Sequence, residues 1–391
     1  MQVDFHASRR GTVGIEWELA LVDSQTLELV PAADGLLSEL GVHGDDPIRK
    51  EYLQNMIEVV SQPHQRVADA VDDVADRLAE VRVAARAQGV SLLGAGCHPF
   101  SRASEQKPFS SPRYDVVTER NQWWGRQMAI CGIHVHVGLT AKEYALPVVD
   151  VLSRFYPFFL ALSASSPFWE GDDTGYASQR TMLFQQLPTN GLPWQFTEWS
   201  QFEDFVTGVT QCSMISSASE IRWDVRPAPR FGTVENRTAD SVGTLAEIGT
   251  LAALTQCLTE FTVRELDAGR GLVALEPWFI KENKWRAARY GLDAEMITSQ
   301  HRHRVRPVRE CLDEWIDRLH PVAHDLGCTG ELEFAAELSR RGAPYERQRA
   351  LAADADLYDL TRRLVDETGA EAPSWQADAA HHLENSQDQD R

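Results

Sequence analysis

With 391 residues, 43% of them hydrophobic, the chain can bury a large core, and its mean hydropathy of -0.33 is that of a soluble protein. A formal net charge of -20 repels phosphate polymers and anionic bilayers, which argues against nucleic acid or membrane as a partner but leaves a small anion free to enter a locally basic cleft. The six cysteines form no CxxC pair, and Met1 to Phe5 lacks the charged-then-apolar order of a signal peptide, so reduced thiols and a cytoplasmic location are expected.

In chain order, period-two alternation predicts strands at Gly14–Leu19 and Met56–Val60. Val67, Val71, Val74, Leu78, Val81 and Ala85 recur at helical spacing between Arg66 and Gln88, Gly89 is a stop signal, and a strand follows at Val90–Gly94. Gly132–Gly138 alternates again. The most apolar stretch, Leu146–Ala164, carries Asp150 and Arg154 and predicts an amphipathic or buried helix, not a membrane span. Ile221–Arg226 and Thr233–Arg237 form the last two alternating segments, with Pro227 and Pro229 imposing an extended turn between them. Thr244 and Glu247 have capping-box spacing at the head of a helix through Ile248, Leu251, Leu254, Leu258 and Phe261, and Pro307 opens another through Cys311, Leu312, Trp315, Ile316 and Leu319. Long loops are expected at 97–121, 167–193 and 275–290. One domain over residues 1–370 and a polar, disordered tail over 371–391 complete the outline.

The five alternating segments share a property. Their charged residues recur at every second position, so each strand turns its ionic side chains to one face. If the strands share a sheet, Glu16, Glu18, Glu58, Glu235, His134 and His136 offer oxygen and imidazole ligands there, and Arg222, Arg226 and Arg237 offer anion binding. Each residue alone has a plainer explanation. Glu16 and Glu18 fit an exposed strand face; His134 and His136 fit a zinc pair, a magnesium ligand beside a substrate contact, or two satisfied polar groups; each arginine fits a salt bridge. Glu58, among apolar neighbours, needs a partner. The abundance of glutamate favours magnesium over zinc, and so many charges on one face call for something multivalent between them. Arg222, Asp224, Arg226 and Arg230 form a basic lip beside a carboxylate. No GxxxxGK[ST] loop and no GxSxG elbow occurs. The pair Trp123 and Trp124 is expected in the core or anchoring a helix.

Gly-Ile-Glu-Trp-Glu-Leu (14–19), Gly-Cys-His-Pro-Phe (96–100), Gly-Ile-His-Val-His-Val-Gly (132–138), Ser-Pro-Phe-Trp-Glu-Gly (166–171), Asp-Thr-Gly-Tyr-Ala-Ser (173–178) and Asp-Val-Arg-Pro-Ala-Pro-Arg-Phe-Gly-Thr-Val-Glu (224–235) together resemble the type 2 glutamate–cysteine ligases, or carboxylate–amine ligases, over roughly residues 10 to 350. The resemblance implies an α+β, glutamine-synthetase-like fold: a curved, mainly antiparallel sheet covered on one face by helices, with Mg2+ (or Mn2+), ATP and the amino acid on the other. It implies that Glu16, Glu18, Glu58, His134 and Glu235 form the metal shell, that Glu235 and Arg237 serve catalysis with Arg237 beside the transferred phosphate, and that His136, Arg222, Asp224, Arg226 and Arg230 contact nucleotide or substrate. Two departures stand out. Asn236 occupies a covered, usually apolar position and needs a hydrogen-bond partner, and the run around Arg347 and Arg349 differs from the family's, which leaves a substrate role for Arg347 unsupported.

The reaction implied is ATP-driven ligation of glutamate to an amine, cysteine in the first place, through a γ-glutamyl phosphate, with Asp224 or a metal-bound carboxylate taking the amine's proton. ATP, glutamate and the amine are the expected small-molecule partners, and a homo-oligomer stays open. The competing readings are a ligase for another amine, a guanidino phosphotransferase, a non-catalytic ATP or amino-acid binder, and a zinc hydrolase on His134 and His136.

Overall fold

The computed structural model describes residues 2–44, 46–110, 112–271, 275–299 and 304–374. In chain order its strands are β1 (Val13–Asp23), β2 (Ile48–Lys50), β3 (Met56–Val60), β4 (Val90–Leu93), β5 (Gly132–Gly138), β6 (Phe168–Trp169), β7 (Asp172–Asp173), β8 (Asn190–Gly191), β9 (Arg222–Trp223), β10 (Val225–Ala228), β11 (Thr233–Asp240), β12 (Glu295–Ser299) and β13 (Arg304–Pro307). Seven of them build one open sheet in the order β10-β11-β5-β1-β3-β2, with β4 pairing the far end of β1. Every pairing in it is antiparallel, as expected for the α+β class. The other strands form the two-stranded pairs β6–β7, β8–β9 and β12–β13.

The strand alternation decides which face is covered. Ile15, Trp17, Leu19, Ile57, Val59, Ile133, Val135 and Val234 are buried in the main core with helices Val67–Ala87, Ala145–Arg154 and Leu245–Asp267 packed on them. At roughly 1.5 to 3 kcal/mol for each large side chain removed from water, this layer is the main force holding the sheet. Helix Leu245–Asp267 is buried almost all round, because helices Val308–Leu326 and Thr329–Arg341 cover its outer side. It starts with the expected capping box between Thr244 and Glu247. Asn236, on the covered side of β11, finds its partners: Nδ2 donates to Thr255 Oγ1 at 3.2 Å, and Oδ1 accepts from Thr238 Oγ1 at 2.8 Å.

Several expectations need correction. Residues 277–290 form a helix, Pro277–Tyr290, where a loop was expected. Its buried positions Ile280, Asn283, Lys284, Ala287 and Ala288 keep helical spacing, but two of them are polar and hid the stripe. Helices Pro112–Arg126 and Gln179–Phe184 likewise occupy parts of the other two expected loops. Leu146–Ala164 is two helices, Ala145–Arg154 and Tyr156–Ser163, bent by 55°; Pro157, which has no N–H to donate, falls in the first turn of the second. No single helix among the described residues is long and apolar enough to cross a membrane. The strand expected at Ile221–Arg226 breaks into β9 and β10, and only β10 joins the main sheet. Trp123 and Trp124 are 55% and 39% exposed, not core. Ala370, at the end of the expected domain, and Glu371, the first residue of the expected tail, accept backbone bonds from Leu245 and Ala246 at the head of the central helix. The remainder of that expected tail, from 375, lies outside the described residues.

Candidate active site

Register brings the ionic residues together. Arg49 of β2, Glu58 of β3 and Glu18 of β1 are successive cross-strand partners. Glu16 stands opposite His134. Arg226, Glu235 and His136 form a third row across β10, β11 and β5. Between Asn236 and Ala239 the pairing of β11 with β5 shifts register, and the irregularity carries Arg237 over the second row. Its Nη1 donates to Glu235 and lies 3.3 Å from His134 Nδ1.

Among the described residues, three groups of ligand atoms lie close enough to share an ion: Glu16, His136 and Glu235; Glu16, Glu58 and His134; and Glu18, Glu51 and Glu58, each within 4.8 Å. Glu16 belongs to two of the groups and so does Glu58, so the groups adjoin. Glu51, just beyond the end of β2, was missed because three residues of strand give no readable period. Arg49, 3.8 Å from Glu58 Oε2, was missed for the same reason.

The electrostatics divide this face. Burial pushes the Glu18 carboxyl up to about 8, with Glu51 adding to it. Burial and then Glu16, Glu51 and Glu18 push Glu58 well above the ordinary carboxylate range. Glu51 is raised by burial as well. Glu16 is half-buried and Glu235 buried, which would raise both, but His136 and His134 hold the first well below its usual value, and Arg226 and Arg237 hold the second below. Burial and the adjacent Arg237 lower His134 to about 4, so it is neutral at pH 7.

A divalent cation fits these residues on two observations. The donors are mainly hard carboxylate oxygens, which suit magnesium or manganese, whereas zinc prefers sulfur and nitrogen. In addition, His134 Nδ1 is 3.0 Å from Glu16 Oε2, while its buried Nε2 has no hydrogen-bond partner among the described residues and stands 3.6 Å from Glu18 Oε1. A ring nitrogen left bare beside carboxylates, with the other nitrogen oriented by a carboxylate, is arranged as a ligand.

A cleft of about 400 Å³ lies over the acidic face. Glu16, Glu18, Glu51, Glu58 and His134 line one side, Val117, Met128, Ile130, Phe184 and Leu187 another, and Arg49, Arg180, Arg222, Arg226 and Arg237 supply positive charge. Arg226 is also committed to Glu235, with Nε donating at 2.7 Å and Nη2 at 3.2 Å. Three expected contacts lie outside the cleft lining, the first of them His136, whose Nδ1 is 2.9 Å from Thr233 Oγ1. Asp224 is buried against Lys284, whose Nζ donates to Oδ2 at 2.7 Å, so it is neither a cleft ligand nor placed to take a substrate proton. Arg230 sits at the β10–β11 turn with its guanidinium 5.5 Å from the Phe231 ring centroid, outside the cleft lining. Arg347, whose substrate role was unsupported, pairs with Glu247 at 2.6 Å.

The same fold is found in the glutamate–cysteine ligase of Francisella tularensis in complex with AMP, with a TM-score of 0.68 and 13% identity over 95% of this chain and 91% of that one. It recurs in the bifunctional glutathione synthetase of Pasteurella multocida, with a TM-score of 0.65 and 13% identity over 91% of this chain and 52% of that one. The sequence comparisons place the chain in a class of ligases that form a carbon–nitrogen bond. The family profile described as glutamate-cysteine ligase family 2 matches residues 12–366. A Mycobacterium sp. (strain KMS) protein called "Putative glutamate--cysteine ligase 2-1" is 48% identical over 369 residues, 94% of this chain and 97% of its own length. One from Leifsonia xyli subsp. xyli is 48% identical over 354 residues, 90% of this chain and 93% of its own. The chain belongs to glutamate–cysteine ligase family 2.

Proposed function

We propose that this ligase uses ATP to activate the γ-carboxylate of L-glutamate and joins it to an amine, L-cysteine in the first place, with Mg2+ or Mn2+ held by Glu16, Glu18, Glu51, Glu58, His134, His136 and Glu235. The adjoining ligand groups that share Glu16 and Glu58 carry this reading, because a phosphoryl transfer between two anions needs concentrated positive charge. When bound, the cation supplies neutralisation of phosphate charge.

The chain's own residues do the rest by position and charge. The γ-phosphoryl group passes to a glutamate carboxylate oxygen as its bond to ADP breaks, and the amine nitrogen then attacks the acyl carbon, releasing phosphate and a proton. Arg237, half-buried and fixed by Glu235, presents a charged donor to the phosphoryl oxygens. The Val117, Met128 and Leu187 side of the cleft keeps water from the acyl phosphate. Six reduced cysteines and the use of ATP support a cytoplasmic setting. Mass spectrometry of the product from ATP, magnesium, glutamate and a panel of amines tests the reading. γ-Glutamylcysteine is expected, and ADP release that no carboxylic acid stimulates overturns it.

A further inference from the structure

A second cavity, of about 270 Å³, lies between Arg82 and Arg86 of the helix Val67–Ala87, Ser91 of β4 and Asp366 of the helix Leu357–Glu367. Ser91 stands opposite Val22 of β1, four residues and roughly 13 Å along that strand from Glu18. The two cavities share no lining residue.

The arginines here lack what the rest of the helix provides. Acidic residues outnumber basic ones in the chain by 58 to 38, and on the same helix Arg77 has a partner one turn back, Asp73 Oδ1 at 3.2 Å. The residues three and four before Arg82 are Ala79 and Leu78, and those before Arg86 are Val83 and Arg82 itself. Neither guanidinium makes a hydrogen bond or an ion pair among the described residues. Asp366 shares the cavity but does not offset the charge: burial and then Arg86 lower the Arg82 pKa, with no carboxylate acting against them. Like charges four residues apart on a helix repel, and the helix C-terminus, which favours a cation in its last turn, reaches Arg86 more than Arg82.

Arg82 is also held in place. Gly369 has a φ of 71°, and a Cβ there would stand 2.2 Å from Leu78 Cδ2, 2.9 Å from Arg82 Nη2 and 3.2 Å from its Cζ. Glycine lets the chain leaving the helix Leu357–Glu367 pass this close, so the half-buried guanidinium packs on backbone and does not swing into water. Ser91 Oγ lies 2.8 Å from Ser24 Oγ. When Ser24 donates in that contact, the Ser91 proton is free for the cavity.

We propose that Arg82, Arg86 and Ser91 bind a phosphate group, either the free dianion or the head of a small phosphomonoester. Two planar forks on successive turns match an acceptor with two charges and more than two oxygens, whereas a single carboxylate occupies one fork. A dianion also removes the repulsion between the two guanidinium groups. Bound there, it ties β4, and through it β1, to the helices on either side.

Equilibrium dialysis of the full chain with radiolabelled inorganic phosphate tests this, without ATP or divalent cation and at mildly alkaline pH, where phosphate is a dianion. Wild type should bind it, and Arg82→Gln and Arg86→Gln should each weaken binding by roughly tenfold to a hundredfold, the scale of lost charge-assisted hydrogen bonds. Methyl phosphate separates the two sources: tighter binding than inorganic phosphate assigns the site to an ester, weaker binding to the free ion, and both support the proposal. No uptake by wild type overturns it, as does uptake that both variants leave intact, which would belong to another site. Malonate bound as tightly as phosphate would overturn the choice of ligand. A lower melting temperature of Arg82→Gln in phosphate-free buffer, with phosphate affinity unchanged, would make Arg82 a prop for the neighbouring helix and overturn the proposal too. Arg86 is exposed, so Arg86→Gln decides alone if Arg82→Gln does not fold.

Discussion

Glu18 of β1 and Glu58 of β3 are direct cross-strand partners, two buried carboxylates facing each other with Glu51 alongside. Like charges directly opposite in a sheet are destabilising; burial first, with Glu51 adding for Glu18 and Glu16, Glu51 and Glu18 adding for Glu58, raises both groups in pKa. For a carboxyl raised on folding, the folded state holds more protons than the unfolded state between the two pKa values, so stability falls as pH rises through that window. For Glu18 the window runs from 4.5, its usual value, to about 8. Metal-free protein should therefore lose melting temperature from about pH 5 to pH 8, Glu18→Gln should lose less, and added magnesium should raise the melting temperature most at the upper end. A stabilisation by magnesium that is the same at pH 5 and pH 8 contradicts this.

Replacing Glu16, Glu18, Glu58 or Glu235 by Gln should each lower turnover at least about tenfold, or about 1.4 kcal/mol of transition-state stabilisation. Their effects on folding should differ. Glu58→Gln removes repulsion and should leave the metal-free protein as stable or more so. Glu235→Gln strips the counter-ion from Arg226 and from the half-buried Arg237 and should destabilise it. Thermal melts in chelator separate the two, and a uniform drop in all four variants would mean that the carboxylates mainly hold the sheet together.

Asp224 offers a contrast. Asp224→Asn leaves the buried Lys284 ammonium without its partner and should cost about 3 to 5 kcal/mol, as loss of one member of a buried pair does. Denaturant titration measures the loss, and Asp224→Asn combined with Lys284→Met should recover much of it. Turnover per folded molecule should stay within a few-fold of wild type; a loss of a hundredfold would return Asp224 to the chemistry.

What was legible in the sequence follows from period. Glu16, Glu18, His134, His136, Glu235 and Arg237 stand at i and i+2 among apolar residues, so their common face could be read without knowing which strands pair. Glu51 and Arg180 could not be found that way. One follows a three-residue strand and the other sits in a six-residue helix, and only the fold carries them to the cleft. Arg222 and Asp224 both fit the alternation, but Asp224 lies where the strand breaks and only Arg222 lines the cleft, so a shared period did not mean a shared site. Lys284 and Asn283 concealed a helix because their buried polar groups are satisfied by distant partners, Asp224 and the backbone of Ile297.

The activation step can be separated from simple phosphoryl transfer to a guanidine. If glutamate passes through an acyl phosphate, hydroxylamine should trap it as a γ-hydroxamate only when ATP, magnesium and glutamate are all present. Arg237 is half-buried, its Nη1 donates to Glu235, and it lies 3.3 Å from His134, so its guanidinium is fixed over the ligand groups. A lysine there keeps the charge but presents a single ammonium in place of a planar fork, and it cannot serve Glu235 and a phosphoryl oxygen in the same geometry. Arg237→Lys should therefore depress hydroxamate formation by about tenfold or more, while magnesium-dependent stabilisation in a thermal melt stays close to that of wild type. Formation of ADP and a phosphoguanidine, with no hydroxamate from any carboxylic acid, would place the chemistry in the phosphotransferase class. Equal loss of hydroxamate and of magnesium stabilisation would instead make Arg237 a structural partner of Glu235.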